Sequence, residues 1–142
     1  LRLSRQAPRI LRMAAVGQIA PAAHALFTGV LAANAAAIAA VRPGISTAEV
    51  DRAARAVLEA HGLGEAFVHS TGHGLGLEVH EAPRLARATP GTSEDVVAGM
   101  VFTIEPGAYV DGTGGVRVGD DVLVTAQGCE VLTDVSRELL VV

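Results

Sequence analysis

Three of the five histidines in this chain lie within twelve residues, at His69, His73 and His80. Neutral imidazole is a common metal ligand and a common general base. A single histidine is most often structural, but three in one short segment are harder to explain by packing. Glycines at positions 72, 74 and 76 lie among them and allow a backbone or a ligand to approach closely. This segment is therefore the first candidate for a catalytic or metal-binding site.

A carboxylate in an apolar segment is the second candidate. Glu105 lies in the β-type sequence VFTIEPG, immediately before Pro106–Gly107. A charged side chain is costly to bury in a core unless it is paired or binds a metal. The sequence leaves two interpretations open for Glu105: a metal ligand, or a structural ion pair with an arginine.

Several other active-site patterns are absent from the sequence. HEAPR at 80–84 is not the helical zinc motif H-E-x-x-H, because Pro83 breaks a helix and position 84 is Arg. The sequence contains no G-x-S-x-G nucleophile elbow, no P-loop and no G-x-G-x-x-G fingerprint. The single cysteine, Cys129, cannot form an intramolecular disulfide and is expected to be a small, at least half-buried residue. A reducing compartment is consistent with this cysteine usage, so we expect a cytoplasmic protein.

The composition is typical of one globular domain and argues against nucleic-acid binding. The chain has 142 residues, of which 50% are hydrophobic and 3% aromatic, with no Trp and a net charge of -4. These values exclude an aromatic stacking platform and argue against a phosphate-backbone binder. The charge is uneven, because residues 1–48 carry five arginines and no acid, whereas residues 49–142 carry six arginines and fifteen acids.

A charge-free run from residue 13 to residue 41 is long enough to span a bilayer. Much of it is alanine, which contributes little to membrane insertion, and it also contains Pro21, His24 and Asn34. We therefore expect no membrane association, and a helix that is packed on most sides.

Two helices are predicted in the first half of the chain. Pro21 suits the first turn of a helix, which Pro43–Gly44 would end. Ser46 and Glu49 form an S-x-x-E capping box that begins a second helix, which ends near His61–Gly62. The apolar stripe of the first helix recurs at helical spacing and consists of Leu26, Val30, Ala33, Ala37, Ile38 and Val41.

The second half of the chain is predicted to form strands. Residues 100–110 are β-rich, and residues 114–133 alternate in polarity with a turn at 126–128. Residues 86–98 are expected to form a surface loop or a short helix, and the apolar tail 139–142 is expected to dock. The predicted fold class is α+β, with two helices on one face of an antiparallel sheet.

Three ordered blocks of this sequence closely resemble the pita-bread metallopeptidases. They are HSTGHGLGLEVHEAP (69–83), GMVFTIEPGAYV (99–110) and GGVRVGDDVLVTAQGCEVLT (114–133). This group includes Xaa-Pro aminopeptidases, prolidases, methionine aminopeptidases and creatinase, and the histidine block is most similar to the Xaa-Pro aminopeptidase and prolidase branch. The resemblance covers residues 14–142, as the C-terminal part of the catalytic domain, and leaves residues 1–13 as a non-matching basic N-terminal segment.

The resemblance implies a hydrolase in which five side chains hold two divalent ions, such as Mn²⁺, Co²⁺ or Zn²⁺, that activate a water. His73 and Glu105 match two of those metal ligands. His69 and His80 match histidines that touch the substrate and help with proton movement. Arg117 matches an arginine that supports the site.

Three of the five ligands that the family carries are missing. Gly119 stands where the last glutamate is expected, Arg9 aligns with one aspartate, and the other aspartate would precede the chain. Asp121 would face the same side as Gly119, but about 6.5 Å further along the strand. A single Zn²⁺ or Mn²⁺ on His73, Glu105 and His80 remains an open alternative to two ions.

The sequence therefore predicts an Xaa-Pro aminopeptidase- or dipeptidase-like peptide hydrolase domain that is weakened or inactive in this chain. The change to arginine-rich sequence near residue 13 is what a truncation or a frame disruption would leave. Two alternatives are a non-catalytic peptide- or protein-binding pseudo-enzyme on the same fold, in which His69, His80 and Arg117 hold the ligand, and an unselected remnant. A partial fold exposes apolar surface, so aggregation or a homodimer is expected.

Overall fold

The structure is a computed structural model that describes residues 8–89, 91 and 93–142. Residues 1–7 of the basic N-terminal segment lie outside the described residues, as do positions 90 and 92 of the 86–98 segment.

Two helices form as the sequence predicts. Helix α1 spans Pro21–Ala40 and helix α2 spans Thr47–Ala60. The capping box at the start of α2 is present: the Glu49 backbone N–H donates to Ser46 Oγ at 3.2 Å, and the Ser46 N–H donates to Glu49 Oε2 at 3.0 Å. These two bonds satisfy backbone donors that the first turn of a helix would otherwise leave unpaired.

Helix α1 is buried along one face rather than on most sides as predicted. Ala22, Ala25, Thr28, Ala35 and Ala39 are exposed on the other faces. By length and composition, α1 is the one helix in the described part of the chain that could cross a membrane. Its buried residues are Leu26, Phe27, Gly29, Val30, Ala33, Asn34 and Ala37.

Nine short strands lie among the described residues. Five of them form an antiparallel sheet in the order β3-β2-β4-β7-β8, while β5 pairs antiparallel with β6 and β1 pairs parallel with β9. The strands are β1 Ala14–Ala15, β2 Gly72–Gly74, β3 Glu81–Leu85, β4 Val101–Ile104, β5 Gly107–Val110, β6 Gly114–Arg117, β7 Asp120–Val124, β8 Cys129–Val131 and β9 Leu140–Val141.

The core lies between the two helices and the sheet. Val30 of α1 and Leu58 of α2 are fully buried in one cluster with Phe102, Ile104 and Val122 of the central strands. Burying each such side chain contributes about 1.5–3 kcal/mol of hydrophobic stabilisation. The central strands β4 and β7 are therefore firmly anchored. Their packing fixes the positions of Glu105, which follows β4, and Gly119, which precedes β7.

Two connecting segments differ in how well they match expectation. The described part of 86–98 contains no helix and meets the rest of the chain through a bridge between Ser46 and Asp95. The C-terminal tail docks as β9 against β1, but Leu140, Val141 and Val142 keep 60%, 53% and 69% of their surface exposed. The tail therefore pairs through its backbone and leaves its apolar side chains uncovered.

Candidate active site

The candidate site is built by strands that pack unusually closely. His73 lies in the middle of β2, and a Cβ atom at Gly72 or Gly74 would overlap the carbonyl of Thr103 or Ala82. The glycines of the histidine block are thus needed for close approach of neighbouring backbones. Glu105 follows the last residue of β4, and its N–H donates to the Thr71 carbonyl at 2.6 Å.

Glu105 is a buried carboxylate surrounded by three basic side chains. Only 2% of its side chain is exposed. Its Oε1 atom lies 2.8 Å from Arg117 NH2 and 3.1 Å from His73 Nε2. Its Oε2 atom has no hydrogen-bond partner among the described residues and lies 3.6 Å from Arg9 Nε. His73 and Glu105, which sequence analysis paired as candidate metal ligands, are therefore in direct contact.

The hydrogen bonds of His73 indicate where its free lone pair points. The Nδ1 atom lies 2.9 Å from the Gly74 carbonyl oxygen, which can only accept, so Nδ1 carries the proton of the neutral ring. The Nε2 lone pair then faces Arg9 NH1, a donor, at 3.2 Å. His73 Nε2 and Glu105 Oε1 thus border one small volume, in which a positive charge would be stabilised.

Arg9 supplies a positive charge in that volume. Its NH1 atom lies 3.2 Å from both His73 Nε2 and His80 Nε2. The rings of His73 and His80 pack with centroids 4.2 Å apart. The Arg9 backbone N–H also donates to Asp121 Oδ2 at 2.8 Å. The guanidinium group is therefore within hydrogen-bond or ion-pair distance of two imidazoles and a buried carboxylate.

Arg117 contacts Glu105 twice, which fixes the carboxylate rather than merely neutralising it. Its NH2 atom pairs with Oε1, and its Nε donates to the Glu105 carbonyl oxygen at 3.3 Å. About 30% of the Arg117 side chain remains exposed, so the same group also borders solvent.

His69 lies in a different environment from His73 and His80. Its Nε2 atom is 3.1 Å from the Tyr109 hydroxyl, and its Nδ1 atom is 2.9 Å from the Ser70 carbonyl oxygen. Burial lowers the pKa of His69 below its ordinary value, with further lowering from Arg117 and Arg55, against the opposing Ser70 hydrogen bond. His69 is therefore neutral at neutral pH and able to accept a proton or a hydrogen bond.

The position of Gly119 agrees with its alignment to a missing ligand. A Cβ atom at Gly119 would lie 3.1 Å from Glu105 Cβ, so the position faces the site. It would also lie 3.0 Å from Leu11 Cδ1, and backbone bonds join Leu11 and Gly119 in both directions. The Leu11 side chain therefore fills the space that a longer side chain at position 119 would need.

Asp121 does not replace the missing ligand. It is 3% exposed, its Oδ2 atom accepts a hydrogen bond from the Arg9 N–H, and its Oδ1 atom has no hydrogen-bond partner in the described part of the chain. Burial raises the pKa of Asp121 above its ordinary value, and the Arg9 N–H only partly opposes this effect. The carboxyl thus contacts the arginine segment rather than joining a set of metal donors.

The donor set does not fit a two-metal centre. The described residues contain no group of three or more His, Cys, Asp or Glu side chains placed to hold a metal ion. The two best donors, His73 Nε2 and Glu105, already share their volume with a guanidinium group. A cation next to the donors opposes the binding of a dication.

Sequence reasoning missed one buried residue that supports the site. Asn34 of α1 is fully buried, and its Nδ2 donates to the carbonyls of Ile104 at 3.1 Å and Val118 at 3.4 Å. These carbonyls immediately precede Glu105 and Gly119. The signal was available, because Asn34 is the only polar side chain among residues 29–41.

Comparisons with known proteins agree on one family. Residues 7–126 match the model of a family described as metallopeptidase family M24. A relative named Xaa-Pro dipeptidase, from Pyrococcus furiosus, is 41% identical over 131 residues, which are 92% of this chain and 37% of the relative. A relative from Bacillus subtilis named putative dipeptidase YkvY is 42% identical over 132 residues.

Solved structures support the same assignment. The crystal structure of dipeptidase PepE from Mycobacterium ulcerans has a TM-score of 0.87 at 43% identity and aligns to 93% of this chain. The crystal structure of X-Pro aminopeptidase from Thermotoga maritima MSB8 has a TM-score of 0.87 at 36% identity and aligns to 94%. This chain covers 35% and 37% of those two chains. The α+β class and an incomplete pita-bread fold are thereby confirmed.

Proposed function

Since the chain belongs to metallopeptidase family M24, we propose that it is the C-terminal part of a peptide hydrolase domain of the Xaa-Pro dipeptidase or aminopeptidase kind, and that hydrolysis is weakened or lost in this sequence. The expected substrates are short peptides with proline at the second residue. The chain spans about a third of the length of the relatives and solved structures that it matches. The proposal therefore concerns this part of the catalytic domain and not the whole length of those proteins.

One observation supports the proposal that hydrolysis is weakened or lost. The Arg9 guanidinium contacts His73 and His80 and pairs with Glu105, the residues that would face a divalent ion. Two remaining ligands beside a fixed positive charge are expected to hold Mn²⁺, Co²⁺ or Zn²⁺ weakly, if at all.

The other candidate residues retain roles that do not require a metal. His69 is neutral and half-buried beside Tyr109, so its Nε2 atom is suited to accept a hydrogen bond from a peptide N–H in place of its contact with the Tyr109 hydroxyl. His80 is exposed and Arg117 is partly exposed, so both can reach a peptide carboxylate. We propose that these three side chains contact the peptide, while Arg117 also holds Glu105 in place.

The second candidate function is peptide binding without hydrolysis. Two partly exposed guanidinium groups, on Arg9 and Arg117, pair with one carboxylate, that of the buried Glu105. A peptide carboxylate arriving from solvent would meet a site that already carries positive charge, which favours binding. This candidate needs no metal.

The experiment that separates these functions combines metal analysis with a peptide assay. The purified chain is reconstituted with Mn²⁺, Co²⁺ and Zn²⁺, bound metal is quantified, and hydrolysis of an Xaa-Pro dipeptide is followed. We expect metal well below two equivalents and turnover near background. A stoichiometry near two with His73-dependent turnover would contradict the weakened state.

Calorimetry with the same dipeptide then tests the binding alternative. A dipeptide amide, which lacks the terminal carboxylate, is the matched control. Metal-free binding of the dipeptide but not of the amide, lost in Arg117→Met, would favour a peptide-binding protein. No binding of either ligand would contradict that alternative.

We further propose a cytoplasmic location and self-association. The single Cys129 is consistent with a reducing compartment, and large apolar side chains remain exposed, among them Val16 at 86% and Val142 at 69%. Light scattering of the purified chain checks the second part: a dimer or larger species is expected, and a monodisperse monomer at high concentration would contradict it.

A further inference from the structure

We infer that the Arg9 guanidinium is a built-in cation that neutralises Glu105 in place of a metal ion, so that the folded chain is stabilised without divalent metal. The inference rests on the proposed function, since it names what occupies the weakened site. It concerns stability, however, and can be tested without any peptide.

The first step is the charge demand of Glu105. The carboxylate is 2% exposed, and Arg117 contacts one of its oxygens, Oε1. The other oxygen, Oε2, accepts no hydrogen bond from residues 8–89, 91 and 93–142. A buried carboxylate oxygen without a donor is costly unless a positive charge is nearby. Arg9 Nε, at 3.6 Å, is the positive group that faces Oε2 among the described residues.

The second step is the set of polar atoms that Arg9 contacts. His73 Nε2 lies 3.1 Å from Glu105 Oε1, so the imidazole and the carboxylate border the same small volume. Arg9 NH1 lies 3.2 Å from His73 Nε2 and 3.2 Å from His80 Nε2. The guanidinium thus serves the same set of acceptors that a cation would serve.

The third step is that hydrogen bonds hold the backbone of Arg9 and the residues that follow it. Its own N–H donates to Asp121 Oδ2, and two residues later Leu11 bonds to Gly119 in both directions. The next residue, Arg12, donates to the Gly119 carbonyl at 2.7 Å and pairs with Asp120 at 2.7 Å. Because Arg9, Leu11 and Arg12 all bond to residues 119–121 at the edge of the site, the guanidinium is held in place.

The experiment measures thermal unfolding of the full chain in chelator, in Mn²⁺ and in Zn²⁺. The unsubstituted chain is expected to unfold at the same midpoint in all three conditions. Arg9→Met keeps the apolar stem but removes the charge, and its midpoint in chelator should fall by roughly 5 °C. The same variant should recover part of that loss in Zn²⁺ or Mn²⁺, because the acceptors then lack a cation.

Three further variants make the result specific. Arg9→Lys keeps a positive charge, so it should lose less stability than Arg9→Met and stay insensitive to metal. Arg9→Met/His73→Ala should lose the recovery by metal. Arg42→Met removes an exposed arginine whose guanidinium bonds only the Ala40 carbonyl in the described structure, and it should change neither the midpoint nor the metal response.

The inference is overturned if the unsubstituted chain is stabilised by Mn²⁺ or Zn²⁺, a result that does not depend on any variant folding. It is equally overturned if Arg9→Met is as stable as the unsubstituted chain, or if it is destabilised with no recovery in metal. Failure of the proposed function would be seen in the peptide experiments instead. Loss of peptide binding and hydrolysis, with the unfolding results as expected, would leave this inference intact.

Discussion

Two buried carboxylates, Glu105 and Asp120, each face two arginines, but their oxygens are bonded differently. Asp120 Oδ1 accepts from Arg12 and from the Thr133 hydroxyl, and Oδ2 accepts from Arg137 at 2.7 Å. From the residues that the structure describes, Glu105 receives one short arginine bond, at 2.8 Å, and its Oε2 atom accepts none. The first carboxylate is fully satisfied and the second is not.

The difference indicates that the Asp120 cluster is structural, whereas Glu105 belongs to the candidate site. The donors to Asp120 come from the N-terminal segment and the C-terminal region, so the carboxylate joins distant parts of the chain. A fully satisfied buried network rigidifies a fold. Glu105 differs: Oε2 accepts no hydrogen bond from the described residues and lies 3.6 Å from Arg9 Nε, while Oε1 lies 3.1 Å from His73 Nε2. We call Asp120 and its donors Arg12, Thr133 and Arg137 the lock, because these bonds hold residues 9–12 against the site at Glu105.

The largest effect is expected at the lock. Asp120→Asn should destabilise the chain by about 3–5 kcal/mol, because it removes the charged acceptor of three hydrogen bonds and leaves Arg12, which is only 15% exposed, without its buried counter-charge. Urea unfolding measures the loss, and Asp111→Asn on the exposed turn is the matched control, expected to change little. A loss below about 1 kcal/mol would mean that Asp120 is not the lock.

The lock should also weaken in acid. Burial alone would raise the pKa of Asp120, but hydrogen bonds from Arg137, Thr133 and Arg12 more than offset it, so the pKa lies below its ordinary value of 3.8. The folded state then holds the charged form more strongly than the unfolded state does. The stability gap between the unsubstituted chain and Asp120→Asn should stay constant above the ordinary value and shrink as pH falls below it. Urea unfolding at several pH values measures the gap, and a gap that grows in acid would contradict this sign.

A smaller effect is expected at the site. Glu105→Gln should cost about 1 kcal/mol or less, because the arginines that it frees are 29% and 30% exposed and can be solvated. The double variant Arg9→Met/Glu105→Gln should be more stable than Arg9→Met alone, since it no longer buries an uncompensated carboxylate. Equal losses for Glu105→Gln and Asp120→Asn would remove the distinction between the two clusters.

A substitution away from both clusters calibrates the other effects. Ser46→Ala should cost about 1 kcal/mol, because it removes the capping bond at the start of α2, away from both carboxylates. Ser93→Ala at an exposed position serves as the control in the same urea series. An effect of Ser46→Ala as large as that of Asp120→Asn would show that the scale reports general fragility instead of the two clusters.

The sequence predicted the local features of this molecule well, because they depend on short-range rules. The capping box of α2, the turn at 126–128 and the contact between His73 and Glu105 all follow from spacing or from motif resemblance. Aligning Arg9 with a metal ligand correctly placed its side chain next to that pair. The metal and catalytic roles assigned to these residues remain predictions.

Long-range pairings could not be predicted in the same way. The Asp120 cluster joins residues 108 and 17 positions apart in the chain, and no motif relates them. The amide bridge from Asn34 to two strand carbonyls depends on how α1 packs against the sheet. The one-sided burial of α1 also depends on what covers its other faces, and hydrophobic periodicity in an alanine-rich helix carries little information about that.

The most direct test of the central claim is anomalous diffraction from crystals of the chain grown with Mn²⁺ or Zn²⁺. The account predicts no anomalous peak between His73 and Glu105, with the Arg9 guanidinium in density there. Two peaks about 3.5–4 Å apart at that position, with Arg9 displaced, would contradict it.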